Sequence, residues 1–388
     1  MRTTLYLVRL GEISLKGLNR DFFEKKLKEN IKAKLAGYKS QFTKQKGRFF
    51  IEIDENIDDK IVQEALATTF GVVSYAKAIR CAKNIDEIVE VAKLLSGEDS
   101  FIKGTKTFKV ETVRSDKGFE LNSYELSSKL GSIILKEHPH LKVDVKKPDK
   151  ILYLEIRDKA YLFTTDNRGP GGLPVGSAGR ALTMLSGGID SPVATYMMGK
   201  RGLKQEAVYF HAYPYTSDEA KEKVITLAKI LRRYLGPFTL HVVPFTDVQL
   251  HIKKHSYENE NTLLMRACMV KIANEIAQRR ACKAIVTGEA LSQVASQTLE
   301  SLAFTDSLSL LPVFRPLIGL DKQEIIQISR QIGTYETSIL PYDDCCTIFS
   351  PKHPLVRPDK EKITASYNAM QIEALLLQAV EQTEMIVL

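Results

Sequence analysis

Residues 181–201 constrain this chain more than any other stretch. An apolar strand, Ala181-Leu-Thr-Met-Leu185, runs straight into Ser186-Gly-Gly-Ile-Asp-Ser191 and then into a helical pattern that reaches Arg201. Two adjacent glycines let the backbone turn tightly and approach a ligand closely. The helix start presents N–H groups and the positive end of the helix dipole to an anion. Ser186 and Ser191 add hydroxyl donors, so the loop suits a pyrophosphate. Such a unit belongs in an open parallel sheet, where ligands sit at the carboxyl ends of the strands. No GxxxxGK[ST] occurs and no GxGxxG follows a strand. A kinase-type phosphate loop and a dinucleotide dehydrogenase are therefore disfavoured.

The rest of the back half repeats the same grammar. Strands are predicted at Glu206–His211, Thr239–Pro244 and Ala284–Thr287. Helices are predicted at Ser191–Arg201 and Ser217–Leu235, with two more segments up to Arg280. That alternation argues for a doubly wound parallel sheet. The front half reads differently. Strands at Leu5–Arg9 and Arg48–Ile53 flank a helix from Asn19 to Leu35, with Phe22, Phe23, Leu27 and Ile31 assigned to one apolar face. Helices at Asp58–Thr68, Ile85–Leu95 and Leu121–Lys136 then mix with extended Gly71–Ala78 and Thr107–Val113. Ile151–Arg157 and Ala160–Thr164 form a hairpin turning at Asp158-Lys159. Asn167 to Gly179, with its five glycines and two prolines, reads as a connector.

Charge divides the chain in the same place. Of a net +8, residues 1–165 carry +7 (31 Lys+Arg against 24 Asp+Glu) and residues 166–388 carry +1. A basic front half on a near-neutral back half suggests one part that holds a polyanion and another that does chemistry; a solvated basic surface is the plainer alternative. The five cysteines, Cys81, Cys268, Cys282, Cys345 and Cys346, have neither the spacing of a disulfide framework nor that of a zinc site. No metal ligand set is assigned. No apolar run reaches membrane-spanning length. A cytosolic protein with reduced thiols is expected.

The loop Ser186–Ser191, in its strand–loop–helix setting, resembles the PP-loop of the ATP pyrophosphatases. Further blocks in order, Arg9-Leu-Gly-Glu-Ile-Ser-Leu-Lys-Gly-Leu-Asn-Arg20, the connector Gly169-Pro-Gly-Gly-Leu-Pro-Val-Gly-Ser-Ala-Gly179 and Thr287-Gly-Glu-Ala-Leu-Ser-Gln-Val-Ala-Ser-Gln-Thr298, resemble the ThiI-type tRNA 4-thiouridine synthases over essentially the whole chain. The resemblance implies an α/β protein: a ferredoxin-like domain over 1–57, a THUMP RNA-binding α+β domain over 58–165, a linker over 166–179 and a doubly wound PP-loop domain over 180–388. It implies ATP and Mg2+ as cofactors. It implies tRNA, a cysteine desulfurase or other persulfide donor, and a homodimeric partner copy, with a sulfur-carrier protein for thiazole synthesis as a further candidate. No membrane partner is expected.

The family's nucleotide contacts map onto Met184, Leu185, Ser186, Gly187, Gly188, Ser191, Tyr209, Phe210, Arg266, Gly288 and Gln297. For Tyr209 and Phe210 the alternative is core packing, and for Arg266 a surface charge. Asp190 sits inside a phosphate loop, where a bare carboxylate is repelled. It needs a cation, so metal coordination or support of adenylation is its expected role, with a helix cap as the alternative. Leu340-Pro-Tyr-Asp-Asp-Cys-Cys-Thr-Ile-Phe-Ser350 resembles the family block with an active cysteine; Cys346 matches it best and Cys345 competes. Lys352, His353 and Arg357 follow and would favour a thiolate. The family's rhodanese-like domain has no counterpart before Leu388. An iron–sulfur cluster on Cys268, Cys345 and Cys346 is disfavoured, because adjacent cysteines suit one cluster face poorly. For tRNA the candidates are Lys103, Lys106, Lys109, Arg114, Lys142, Lys146 and Lys147. Two other functions compete: a PP-loop adenylator of a small carbonyl compound, and a tRNA-binding scaffold with a dead nucleotide site. The basic front half argues against the first and the intact Ser186–Ser191 loop against the second.

Overall fold

The computed structural model describes residues 3–45, 47–342 and 351–388. It divides into two compact units, residues 1–24 with 31–172 and residues 25–30 with 173–388.

The first unit is built on one mixed sheet. Its elements run β1 (Thr3–Leu10), α1 (Arg20–Lys34, whose residues 25–30 count with the second unit), β2 (Ser40–Gln45), β3 (Arg48–Asp54), α2 (Asp59–Ala67), β4 (Val72–Cys81), α3 (Ile85–Ser96), α4 (Asp99–Ile102), β5 (Thr107–Arg114), α5 (Ser123–Glu137), β6 (Lys142–Val143), β7 (Lys150–Ile156), β8 (Ala160–Phe163) and β9 (Asn167–Arg168). Among the described residues the strand order is β2-β3-β1-β4-β8-β7-β5-β6, with β9 also on β4. The long β4 is the hinge of this order. Its residues 72–78 pair antiparallel with β1, and Ile79–Cys81 pair with β8. The hairpin at Asp158-Lys159 forms as expected, Arg157 N–H donating to the Lys159 carbonyl at 2.9 Å. Helices α3 and α5 lay Ile88, Ala92, Leu126, Leu130 and Ile134 over Phe108, Leu152, Leu154 and Leu162. In α1 the expected apolar face is narrower: Leu27 and Ile31 are buried, whereas Phe22 is 52% exposed beside Phe23. Strand β2, with its alternating intermediate and exposed residues, carries no apolar stripe to announce it.

The second unit begins β10 (Arg180–Met184), α6 (Asp190–Lys200), β11 (Lys204–His211), α7 (Asp218–Leu235), β12 (Thr239–Pro244), α8 (Thr246–His255), α9 (Asn261–Arg279) and β13 (Ile285–Val286). It continues α10 (Leu299–Ser307), β14 (Val313–Phe314), α11 (Lys322–Ile332), α12 (Tyr335–Ser338), α13 (Lys360–Ala369), α14 (Glu373–Glu381) and β15 (Glu384–Val387). The order is β14-β13-β10-β11-β12-β15. Among the described residues every pairing of this sheet is parallel except β12 with β15, so the expected parallel sheet carries an antiparallel edge strand. Helices α6, α7, α11 and α12 pack together, and α9 packs with α8, α10 and α14. The buried face of α9 (Leu264, Cys268, Ile272, Ala273) meets Leu182, Val208 and Phe210 of the sheet and Leu376, Ala379 and Val380 of α14. The apolar face of the C-terminal helix α14 is thus covered by α9 of its own chain.

Candidate active site

The chain leaves β10 toward β11 and β12 on one side and returns with β13 on the other. Strand order thus reverses at β10, which places a crevice at the carboxyl ends of β10 and β13. The loop Ser186–Ser191 occupies it. Leu185 N–H still belongs to the sheet, donating to Val208 O at 2.9 Å. Ser186 N–H then donates to Ser191 Oγ at 2.8 Å, and Gly188 N–H to Ser186 Oγ at 3.3 Å. The two hydroxyls, expected as ligand donors, also brace the loop. Ile189 precedes α6 and among the described residues no side chain caps that helix, so its first N–H groups are placed to meet an anion at the crevice. Gly288 closes against the loop from β13. A Cβ there would stand 2.6 Å from Ser191 N, so only glycine permits this approach.

A cavity of about 250 Å3 opens here. Its lining includes Met184, Leu185, Ser186, Gly188, Asp190, Ser191, Tyr209, Phe210, Arg266, Gly288 and Gln297. Of the residues assigned to nucleotide, Gly187 alone stays off the wall. Tyr209 and Phe210 are both core and site: they are 2% and 5% exposed, yet edge the cavity. Met269, Thr287 and Glu289 line it without having been assigned.

The cation that Asp190 requires is a side chain of the same chain. Lys322 Nζ, at the start of α11, lies 2.6 Å from Asp190 Oδ1, and Gln293 Nε2 donates to Oδ2 at 2.8 Å. The carboxylate is turned to these groups and does not cap α6. Neither partner carries a sequence signal, because 103 and 132 residues separate them from Asp190. Among the described residues no cluster of three or more His, Cys, Asp or Glu side chains is arranged to hold a metal ion.

Arg266, expected to meet phosphate, is bound through Nη2 to Glu289 Oε1. Glu289 Oε2 accepts from Arg315 Nε at 2.7 Å and from Thr287 Oγ1 at 2.9 Å. Burial pushes the Glu289 carboxyl up, but Arg266 and Arg315 outweigh it and hold the group below the usual carboxylate range. Arg315 also forks onto Asp306, at 2.6 and 3.1 Å.

Cys346, Cys345 and the acidic pair before them lie outside the described residues. The chain on either side is tied down. Buried Lys223 donates to Leu340 O at 2.8 Å, Leu355 N–H donates to Asn259 O at 2.9 Å, and Thr298 Oγ1 donates to Val356 O at 2.7 Å. Lys352, His353 and Arg357 are exposed. Cys268 is fully buried within the apolar core and burial raises its thiol strongly; an exposed, low-pKa thiolate is the opposite environment.

In the first unit, Lys103, Lys106, Lys142, Lys146 and Lys147 are exposed. They gather at the sheet edge, where Thr107 pairs with Lys142 and Lys142 N–H donates to Lys106 O at 2.9 Å. Asp144 folds the turn by accepting from the N–H groups of Lys146 and Lys147. Two candidates are engaged elsewhere. Lys109 pairs with Glu111 at 2.7 Å, and Arg114 Nη1 donates to the carbonyls of Phe119 and Leu121.

Comparison with known proteins agrees across both units. Residues 5–76 match the ThiI ferredoxin-like domain, 82–166 the THUMP domain, and 176–372 the family described as thiamine biosynthesis protein (ThiI). A probable tRNA sulfurtransferase of Acetivibrio thermocellus is 47% identical over 98% of this chain and 97% of its own. One from Thermoanaerobacter sp. (strain X514) is 48% identical over 95% of this chain and 96% of its own. Among solved structures, a 4-thiouridine synthetase in complex with RNA and bound ATP superposes with a TM-score of 0.89 at 37% identity, covering 100% of both chains. A Pyrococcus horikoshii protein gives 0.66 at 26% identity over 85% of this chain and 99% of its own. With a phosphate loop at the switch point of its sheet and full-length relatives well above chance identity, this chain belongs to the ThiI family of tRNA sulfurtransferases.

Proposed function

We propose that the protein is a tRNA sulfurtransferase that uses ATP to convert a uridine of tRNA, expected at position 8, to 4-thiouridine. The observation that carries this reading is the cavity walled by the Ser186–Ser191 loop, Gly288 and Arg266, in a chain whose other unit gathers five lysines at one sheet edge. The oxygen O4 of uridine is a poor leaving group. Its attack on the α-phosphorus of ATP forms an O–P bond and expels pyrophosphate. A sulfur nucleophile then adds at C4 and AMP departs with the oxygen. The chain's contribution to the first step is positioning and charge. The N–H groups at the start of α6 take phosphate oxygens, Arg266 adds a cation, and Met184, Leu185, Tyr209 and Phe210 bound the nucleoside side of the cavity. Mg2+ entering with the phosphates would add neutralisation of the leaving pyrophosphate, with Asp190, held by Lys322 and Gln293, as a cavity carboxylate that could meet it. Asp190 supports adenylation with Lys322 as its fixed partner.

For the second step Cys346 is the proposed sulfur carrier, with Cys345 the alternative thiol. A persulfide on Cys346 attacks C4 through its outer sulfur as AMP leaves; a reducing thiol from solution then attacks Cys346 Sγ, releasing the sulfur on C4 and leaving a mixed disulfide that a second such thiol reduces back to Cys346. A cysteine desulfurase is the proposed donor, a cytosolic location suits the reduced thiols, and a carrier protein for thiazole synthesis is a second proposed acceptor. A homodimer is proposed from the family. No helix among the described residues is long and apolar enough to cross a membrane. The lysine edge formed by Lys103, Lys106, Lys142, Lys146 and Lys147 is the proposed tRNA contact, acting on backbone and shape.

Incubating the full-length protein with unmodified tRNA, MgATP and sulfide tests the reading. It should yield 4-thiouridine with equimolar AMP and pyrophosphate. AMP formation that ignores tRNA would point instead to a small carbonyl substrate.

A further inference from the structure

Glu289 is an acid in a place that disfavours one. It lines the cavity that takes the phosphates of ATP, and it is 4% exposed. A carboxylate there repels a polyphosphate unless it is fully compensated, and an ionised acid out of water persists only with partners on its lone pairs. Those partners are in place: Arg266 on Oε1, Arg315 and Thr287 on Oε2. They differ in where they stand. Arg266 lines the cavity, whereas Arg315 does not and is anchored behind by its fork onto Asp306. The chain runs from a bonded anchor (Asp306, Arg315) through a buried carboxylate to a guanidinium at the ligand wall. A long arginine on a helix loses side-chain entropy when it is held in one pose. A charge-assisted bond to a fixed carboxylate holds it there before the ligand arrives.

We infer that Glu289 is a positioning residue for ATP: it aims the Arg266 guanidinium at the phosphates, and Arg315, braced by Asp306, is the counter-charge that lets Glu289 remain ionised there. The inference rests on the assignment of Arg266 to phosphate.

The test is a double-mutant cycle on the full-length protein, read as the KM for ATP and kcat for pyrophosphate release with tRNA, together with the Kd of ATP by calorimetry. Glu289→Gln keeps shape and removes the charge. It should raise KM and Kd about tenfold, the worth of a charge-assisted bond, with kcat at saturating ATP within about twofold. Arg266→Ala should raise both constants at least as much. In the Arg266→Ala background, Glu289→Gln should have no further effect on ATP affinity. Arg315→Lys keeps the anchor charge but loses the fork, and serves as the second route if Glu289→Gln does not fold. Its smaller rise in KM should likewise vanish without Arg266. Additive losses in either double variant, or a fall in kcat with KM unchanged, would overturn the positioning role. So would an Arg266→Ala protein that binds ATP normally. Absence of ATP-dependent pyrophosphate release in the wild type would sink the proposed function itself, separately from this inference.

Discussion

Glu155 in the first unit and Glu289 in the second are both buried among arginines, and they differ in what lies beside them. In the first unit Glu155, 2% exposed, accepts from Arg9 at 3.2 Å, Arg48 at 3.1 Å and Arg157 at 3.1 Å, and Arg9 also pairs with Asp166. These residues come from β1, β3 and β7 and the segments just after β7 and β8, so the cluster ties the two halves of one sheet together. In the second unit Glu289 is held by Arg266 and Arg315 with similar chemistry, but one of its arginines edges the nucleotide cavity. A buried ion pair contributes little net stability against an apolar replacement, yet breaking it by removing one partner is costly. Similar chemistry thus ties a sheet together in the first unit and, in the role inferred for Glu289, prepares a ligand site in the second. The neighbouring surface, not the ion pair, decides which.

The largest expected effect concerns the cavity alone. Asp190→Ala should lower tRNA-dependent pyrophosphate release by at least about a hundredfold, in line with loss of a preorganised charge at a reacting phosphate, while the thermal unfolding midpoint stays near that of the wild type. Wild-type rates in a pyrophosphate assay would remove Asp190 from the mechanism. The mirror variant is Glu155→Ala. It leaves three guanidiniums without their shared acceptor and should cost about 3 kcal/mol of unfolding free energy, discounted for partial exposure of the arginines, with ATP affinity unchanged by calorimetry. A large rise in the Kd for ATP would mean that Glu155 reaches the nucleotide site and is not purely architectural.

Replacing Lys103, Lys106, Lys142, Lys146 and Lys147 in turn by glutamine should weaken tRNA binding stepwise. Each genuine phosphate contact should lower the log–log salt slope by roughly 0.7–0.9. Lys109→Gln and Arg114→Gln should leave that slope alone, since both side chains are already engaged within the unit. Filter binding across a salt series separates the two groups.

Acid behaviour sharpens the comparison further. In the second unit burial raises the Glu206 carboxyl, but bonds from His241 and Arg280 outweigh it and bring it down to about 2 from an ordinary 4.5. The folded-state value is depressed, so the stabilisation is fully present above 4.5 and is lost as pH falls from there toward 2. Glu206→Gln should flatten the denaturation midpoint over that window and leave its slope at neutral pH unchanged. The smallest effect is expected at Ser292, whose φ of +60° is left-handed and sits one residue before Gln293. Ser292→Gly should gain up to about 1 kcal/mol of stability, measurable by urea titration.

The phosphate loop was legible because everything it needs is local. Strand, paired glycines, serines and helix start are contiguous in Ala181–Ser191, and the order of hydrophobic periods around them implied the doubly wound sheet. The edge strand β15 was not legible. Glu384–Val387 has four residues, of which Met385 and Val387 are exposed, so no buried stripe marks it. Nor was it legible that α9 covers α14. Local chemistry and periodicity are written in adjacent residues, so the sequence by itself determined the main strands and helices up to β13, the nucleotide loop and its family. Which charges meet was decided only in three dimensions. Lys322 and Gln293 reach Asp190, and Arg315 and Arg266 reach Glu289, because parallel strands bring their carboxyl ends to one crevice, and a side chain's protonation and partners follow from that enclosure rather than from its neighbours along the chain.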